Sequence, residues 1–453
     1  MSCNCNEFSR AQVLRQAVAQ AGRGLPSIEP GMPLPAGTGM SRRSLLVRSA
    51  GLALSVYGAD KISGLQMVEG IEAAAAASPS HPVIISAFVP GGWDALSVLS
   101  PVRDSLYRQW RPTLAAAENP ALNVQDNPDL QWHASAGGLK TLHDEGKVTL
   151  FPGIGYTGAN QSHFTSRHYW EVGETNPMGR TGWLGRYLDQ HGSNDNPLQG
   201  LSLAGVLLPT LATAANPVAA VSRPETYTFT AQGVRSDMNA EMFAAFKRMG
   251  QGAAGEDALS YARNAISYTA GLREQLAPFT TVTSPVAYPN TSTFARQMSA
   301  LAAMIAGGLP LRAVSVNVPG GYDTHEGQAA SLSNGLQQTG DVLLAFQRDL
   351  EARQIADRVL VLLWSEFGRR PKENGSLGTD HGAGGAAFLI GSRASGLTVG
   401  EFPGLKTLDR EGNLRNTSDF RAVYCSLLEQ WLGVDAEPVI PNAKAFARPV
   451  LIR

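Results

Sequence analysis

The sequence predicts an α/β fold built on a parallel or mixed sheet, and two observations carry that expectation. Past about residue 80, short apolar runs alternate with stretches of helical period, as strand and helix do in α/β proteins. These runs are continuously hydrophobic rather than alternating, so each strand is expected to be covered on both faces. Hydrophobic residues make up 43% of the 453-residue chain and charged ones 17%, enough for a sizeable core.

Taken in order, strands are expected at 82–92 (PVIISAFVPGG), 147–155 (KVTLFPGIG), 312–321 (RAVSVNVPGG), 358–368 (RVLVLLWSEFG) and 386–391 (AAFLIG). Helices are expected at 236–251 and 291–308, where apolar residues return at helical spacing. Between about 190 and 290 the periodicity weakens and prolines accumulate, which suggests an insertion over the sheet edge.

Residues 1–77 read as a leader, with 78–453 as the α/β domain. The stretch SRRSLLVRSAGLALSVYG (41–58) joins Arg42 and Arg43 to a modest apolar run. AAAAASPS (73–80) supplies small residues for cleavage near Ala77. Together they resemble a twin-arginine export signal, which implies the twin-arginine machinery as a partner and a periplasmic or extracellular destination. A disordered leader followed by an amphipathic helix is the alternative. Arg48 and Asp60 interrupt the run, so no stable membrane span is expected. A formal charge of −1 removes the usual argument for a nucleic-acid partner. Cys3 and Cys5 fall in the leader, and Cys425 stands alone within a helical pattern, so a disulfide framework is not expected and Cys425 reads as a buried thiol.

Chemistry gathers at the strand ends. GGWD follows the first strand with Asp94, and GGYDTH follows the third with Asp323 and His325. SEFG closes the fourth with Glu366, and GTDHG brings Asp380 and His381 shortly after. In open α/β sheets ligands bind beyond the carboxyl ends of the strands. Carboxylates and imidazoles are the donors a divalent ion takes, and zinc, manganese, calcium or magnesium are all compatible, as one ion or two. Each residue alone is open to a plainer reading, a helix N-cap for an aspartate or a satisfied hydrogen bond for a histidine; the recurrence is what points to a metal.

After the second strand, Ser162 and His163 stand where a loop becomes a helix. A hydroxyl there faces unpaired helix N–H groups that favour an anion, and a neighbouring cation would make it a nucleophile. An ordinary N-cap serine is the alternative. GIGYTG (153–158) matches the dinucleotide fingerprint only in isolation, and GLSLAG (200–205) misses the hydrolase elbow at its last glycine.

As an ordered set, GGWD, QSHF with YWE, GWLGRYLD, GGYDTH, SEFGR with ENG, and GTDHG resemble the DUF1501 family of exported proteins. The family is grouped with the alkaline phosphatase-like and sulfatase-like superfamily. That resemblance implies a three-layer α/β/α sandwich holding two metals and a hydroxyl or thiol nucleophile. Carried over residue by residue, it implies one metal on Asp323, His325 and His381. A second would sit on Asp94, Glu366 and Asp380, with Ser162 facing it. Phe367 stands where the superfamily has a histidine, which weakens the second site.

Two functions therefore compete. The first is an exported metal-dependent hydrolase of phosphate or sulfate esters, with Ser162 as nucleophile and Arg369, Arg370 or Lys372 binding the anionic substrate. The second is a non-catalytic binding or assembly protein on the same scaffold. A metal-free serine esterase using His163 or His168 lacks an identifiable third partner.

Overall fold

A computed structural model describes residues 31–37, 54–57, 64–77, 81–226, 235–251, 258–289 and 292–453. The twin arginines Arg42 and Arg43, with Cys3 and Cys5, lie outside the described residues. In chain order the long-sheet strands are β1 (Leu54–Tyr57), β2 (Val83–Phe88), β3 (Val148–Gly155), β4 (Gly200–Ser202), β5 (Val218–Val221), β6 (Ala313–Asn317), β7 (Val359–Trp364), β8 (Gly385–Ile390) and β9 (Ser418–Asp419). The helices used below are α1 (Gly64–Ala77), α2 (Gly137–Asp144), α3 (His163–Val172), α4 (Ser236–Gly250), α5 (Ala258–Leu276), α6 (Thr293–Ala306), α7 (Gln328–Ala352) and α8 (Phe420–Ser426).

The chain divides into two compact units. The first comprises Met1–His81, Met178–Pro285 and Arg296–Ser315. Here β4 pairs in parallel with β5 and with the start of β6, and β1 adds to β5 antiparallel. The predicted helices at 236–251 and 291–308 form as α4 and α6. Among the elements of this region that escaped the sequence pattern are the short strands β4 and β5, and helix α5, whose buried face (Ala270, Leu272, Leu276) is diluted by serine, arginine and asparagine. The stretch GLSLAG therefore contains a strand, β4, not a catalytic elbow.

The second unit comprises Pro82–Pro177, Val286–Ala295 and Val316–Arg453. Its strands lie in the order β2, β7, β8, β3, β9. β2 and β7 are parallel, β3 and β9 are parallel, and β8 runs opposite to both of its neighbours. The sheets are thus mostly parallel, as the continuous apolar runs predict. Every residue of β2, β7 and β8 is buried. A second, small antiparallel sheet joins Leu99–Ser100, Asn123–Val124 and Asn127–Trp132.

Aromatic packing fixes α3 on this unit. Trp170 stacks on Trp364 at 5.2 Å and on Phe420 of α8 at 4.5 Å. Such pairs contribute about 0.5–1.5 kcal/mol each beyond their buried area. Cys425, also on α8, is a buried free thiol that burial pushes up to about 11. Among the described residues no helix is long and apolar enough to cross a membrane.

Helices α2 and α7 meet through glycine: a Cβ on Gly138 would lie 2.2 Å from the Gly340 carbonyl oxygen. Gly→Ala inside an open helix stabilises by about 0.5–1 kcal/mol. Gly138→Ala should have the opposite sign here, costing about 1–3 kcal/mol through overpacking. Denaturant unfolding of the two proteins measures it, and a gain in stability would contradict the packing described.

Candidate metal centre

The centre lies at one end of the second unit's sheet, and its antiparallel strand explains how. β2, β3 and β7 leave the sheet there, delivering Gly91–Asp94, Ser162–His163 and Glu366. β8 enters the sheet at the same end, so Asp380 and His381 come from its amino side. An antiparallel bridge between Arg369 and His381 extends the β7–β8 pairing outward. Past β6, Val318 donates to the Phe88 carbonyl at the end of β2, and the chain then reaches Asp323.

Three imidazoles converge on one carboxylate oxygen. Asp323 Oδ1 lies 3.4 Å from His163 Nε2, 3.0 Å from His325 Nε2 and 3.3 Å from His381 Nε2. His325 and His381 Nε2 are themselves 3.0 Å apart. Each ring is held by its other nitrogen. His163 Nδ1 meets Glu366 Oε1 at 2.7 Å, His381 Nδ1 meets the Gln161 carbonyl at 2.8 Å, and His325 Nδ1 meets Asp380 Oδ1 at 3.2 Å. A backbone carbonyl only accepts, so His381 carries a proton on Nδ1, and in the neutral ring Nε2 presents a lone pair.

His163, Asp323 and His381 offer ligand atoms close enough to hold one metal ion. The donor set fits a cation, because Nε2 lone pairs around a carboxylate oxygen repel unless positive charge lies among them. Without a cation, a proton does this work. Burial lowers the His163 pKa, but Asp323 and Glu366 outweigh it and raise it. Burial pushes Asp323 up, yet its contacts with His163, His325 and His381 hold it well below the usual carboxylate range. For His381 burial prevails over Asp323 and keeps the ring neutral more readily.

Glu366 is fully buried, and two backbone amides point at its carboxylate. Gly91 N–H reaches Oε1 at 2.9 Å, Gly92 N–H reaches Oε2 at 3.0 Å, and Ser365 Oγ reaches Oε2 at 2.9 Å. Consecutive positive φ angles at Gly91 and Gly92 (109° and 66°) aim both amides at one carboxylate. A side chain at Gly91 would strike the Asp323 backbone, and one at Gly92 the Phe367 ring.

Asp94 is engaged elsewhere. Arg111 grips it with Nη1 at 2.5 Å from Oδ2 and Nη2 at 2.9 Å from Oδ1. Ser97 Oγ and Gln328 Nε2 donate to Oδ2 at 2.7 and 2.6 Å. Gln328 Oε1 in turn accepts from Thr324 at 3.0 Å and Thr379 at 2.5 Å, joining the loops that carry His325 and His381. The structure therefore brings Asp323, His325 and His381 together, adds His163, and sets Asp94 in a separate ion pair. Asp380 touches the centre only through His325 and its side chain is 54% exposed.

Ser162 caps α3, its Oγ accepting from Thr165 N–H at 3.4 Å. Its neighbours on both sides touch the centre: Gln161 through its carbonyl and His163 through its ring. His168 Nε2 meets the Asn176 carbonyl at 3.3 Å. Arg369 is buried, donating to Gly92 O at 2.7 Å, Thr379 O at 2.9 Å and Asp323 Oδ1 at 2.6 Å. Arg370 Nε donates to the His381 carbonyl at 3.3 Å, and Lys372 lies 5.4 Å from the Trp110 ring centroid.

The family model described as "Protein of unknown function (DUF1501)" matches residues 150–440. The chain belongs to the DUF1501 family. The match includes all four converging residues and leaves GGWD, with Asp94, outside it. No curated protein matches this DUF1501 chain. Among solved structures it is similar to a protein in the alkaline phosphatase superfamily from Vibrio parahaemolyticus, at 11% identity and a TM-score of 0.34, covering 86% of this chain and 80% of that one. It is also similar to the PsFucS1 sulfatase from Pseudoalteromonas sp., at 12% identity and a TM-score of 0.32, covering 82% and 71%. A third is the C-terminal periplasmic domain of EcEptC from Escherichia coli, at 10% identity and a TM-score of 0.33, covering 80% and 87%.

Removing one partner of a buried ion pair strands the other charge. Arg111→Ala should cost about 3–5 kcal/mol in chemical unfolding. Burial raises the Asp94 pKa, but Arg111 and its hydrogen bonds outweigh this and lower it from an ordinary 3.8. The pair's contribution is therefore complete above that pH and lost as pH falls through the folded value. Arg111→Ala should flatten this acid limb of the stability profile; an unchanged limb would count against the pairing.

Proposed function

We propose that this protein is an exported, metal-dependent hydrolase of phosphate or sulfate esters. The observation that supports it is the convergence of three imidazole Nε2 atoms on one oxygen of Asp323. His163, Asp323 and His381 would hold the ion, with His325 as a fourth donor. Three nitrogens and a carboxylate suit zinc or manganese better than calcium or magnesium, which prefer oxygen. A divalent cation bound there supplies Lewis acidity, polarising an ester oxygen and stabilising charge in the transition state.

The chain's own residues supply the rest. Ser162 Oγ would attack phosphorus or sulfur from the amino end of α3, where helix N–H groups favour an anionic group. Its chain neighbours Gln161 and His163 both touch the centre. Arg370 would contact the anionic oxygens, since Arg369 is committed to backbone carbonyls and Asp323. The ester class follows from the resemblance of the ordered motif set to the DUF1501 family, which is grouped with the phosphatase-like and sulfatase-like superfamily, and export from the twin-arginine pattern.

One observation favours the rival reading, a non-catalytic binding or assembly protein with a single structural ion. The oxygens of Asp94 and Glu366 accept from internal donors, which supports one ion over two.

Metal analysis and turnover of aryl phosphates and sulfates separate the two. Purified protein should carry one equivalent of zinc or manganese, and Asp323→Asn or His381→Ala should lose most of it. Ser162→Ala should cut turnover by about a thousandfold or more with metal content unchanged. One equivalent without turnover on either ester class would favour the structural role.

A further inference from the structure

We infer that Glu366 is a positioning residue and not a ligand: it holds His163 with the proton on Nδ1, so that Nε2 is the atom turned toward Asp323. The inference rests on the metal-centre reading above and deepens it. It starts from the contacts of the carboxylate. The Gly91 and Gly92 amides fix one oxygen each, and His163 Nδ1 meets Oε1 at 2.7 Å. An ionised carboxylate accepts and cannot donate, and both ring nitrogens face one; the shorter contact, 2.7 Å to Glu366 against 3.4 Å to Asp323, assigns the single proton of the neutral ring to Nδ1. The opposite nitrogen then points at Asp323 Oδ1, 3.4 Å away.

The same arrangement recurs on the other two rings. His381 Nδ1 is fixed by the Gln161 carbonyl and His325 Nδ1 by Asp380. Glu366 differs in being immobile: it is fully buried and cradled by the Gly91–Gly92 amides, whereas Asp380 is half exposed. Outer carboxylates of this kind fix ring orientation and raise ligand basicity, and losing one typically costs 10–100-fold in metal affinity.

The test uses the full chain labelled with ¹⁵N-histidine, its His163 signals assigned by their loss in His163→Gln. In metal-free wild type at alkaline pH, long-range ¹H–¹⁵N spectra should show His163 protonated on Nδ1. In Glu366→Gln, whose amide can donate to the ring, that tautomer should be lost. Zinc affinity, measured by competition with a chromophoric chelator, should fall by about 10–100-fold in Glu366→Gln. His163→Gln should lose more. An Nε2–H tautomer in wild type overturns the assignment, and this measurement needs no variant to fold. A Glu366→Gln protein that loses zinc as completely as Asp323→Asn, with the tautomer unchanged, makes Glu366 a ligand and also overturns it. Wild type that binds no zinc yet shows the Nδ1–H tautomer sinks the metal reading alone and leaves the positioning role of Glu366 standing.

Discussion

The centre depends on one constraint: a carboxylate oxygen placed among three imidazoles and a guanidinium needs every nearby proton and lone pair to have an address. Asp323 Oδ1 accepts from Arg369 and faces three ring nitrogens. Burying such charge unpaired is costly, and the chain offsets it locally. Two carboxylates, Asp323 and Glu366, stand beside Arg369 and a His163 whose pKa is raised by both. That group is near neutral with a proton on His163. Exchanging the proton for a cation keeps the ring orientations, because Glu366, Gln161 and Asp380 hold the rings from outside.

The constraint spreads outward through Gln328. Its amide nitrogen rests on Asp94, whose charge is balanced by Arg111, and its oxygen accepts from Thr324 and Thr379. Thr324 lies between Asp323 and His325, and Thr379 stands two residues before His381. The Thr379 N–H also bonds to the Thr324 carbonyl at 3.0 Å. A side chain at Gly378 would meet the His325 backbone at 2.3 Å, so the loops touch without room for a Cβ. The buried Asp94–Arg111 pair thus braces the two segments that bring His325 and His381 together, at a distance from the atoms that would bind an ion.

How much of this could be read in the sequence follows from what is local. Runs such as Val83–Phe88 and Val359–Trp364 announce buried strands because burial on both faces leaves a continuous apolar pattern. β4 and β5 are too short for that signature, and α5 hides its buried face among polar residues. Asp323, His325 and His381 were legible because acids and imidazoles recur where strands end. Asp94 shares the same signature, yet nothing near it in sequence announces that Arg111 turns back onto it. His163 stood in plain view next to Ser162, but its partner Glu366 is 203 residues away. The usable signal was a histidine at the first position of a helix that follows a buried strand.

These contacts also bear on how many ions the site can hold. A two-ion clamp needs a second set of anionic ligands beside the first. Asp94 could join one only by giving up Arg111, whose guanidinium would keep the Ser97 hydroxyl and the Pro371 and Arg370 carbonyls as partners but lose its counter-charge. Glu366 could join one only by leaving the Gly91 and Gly92 amides unmet in the interior, at about 1–3 kcal/mol for each donor. Among the described residues of the unit neither exchange has a compensating partner. Hydrolysis at this centre would therefore run on a single cation, with fixed guanidinium and helix N–H groups carrying the charge stabilisation that a second ion provides elsewhere.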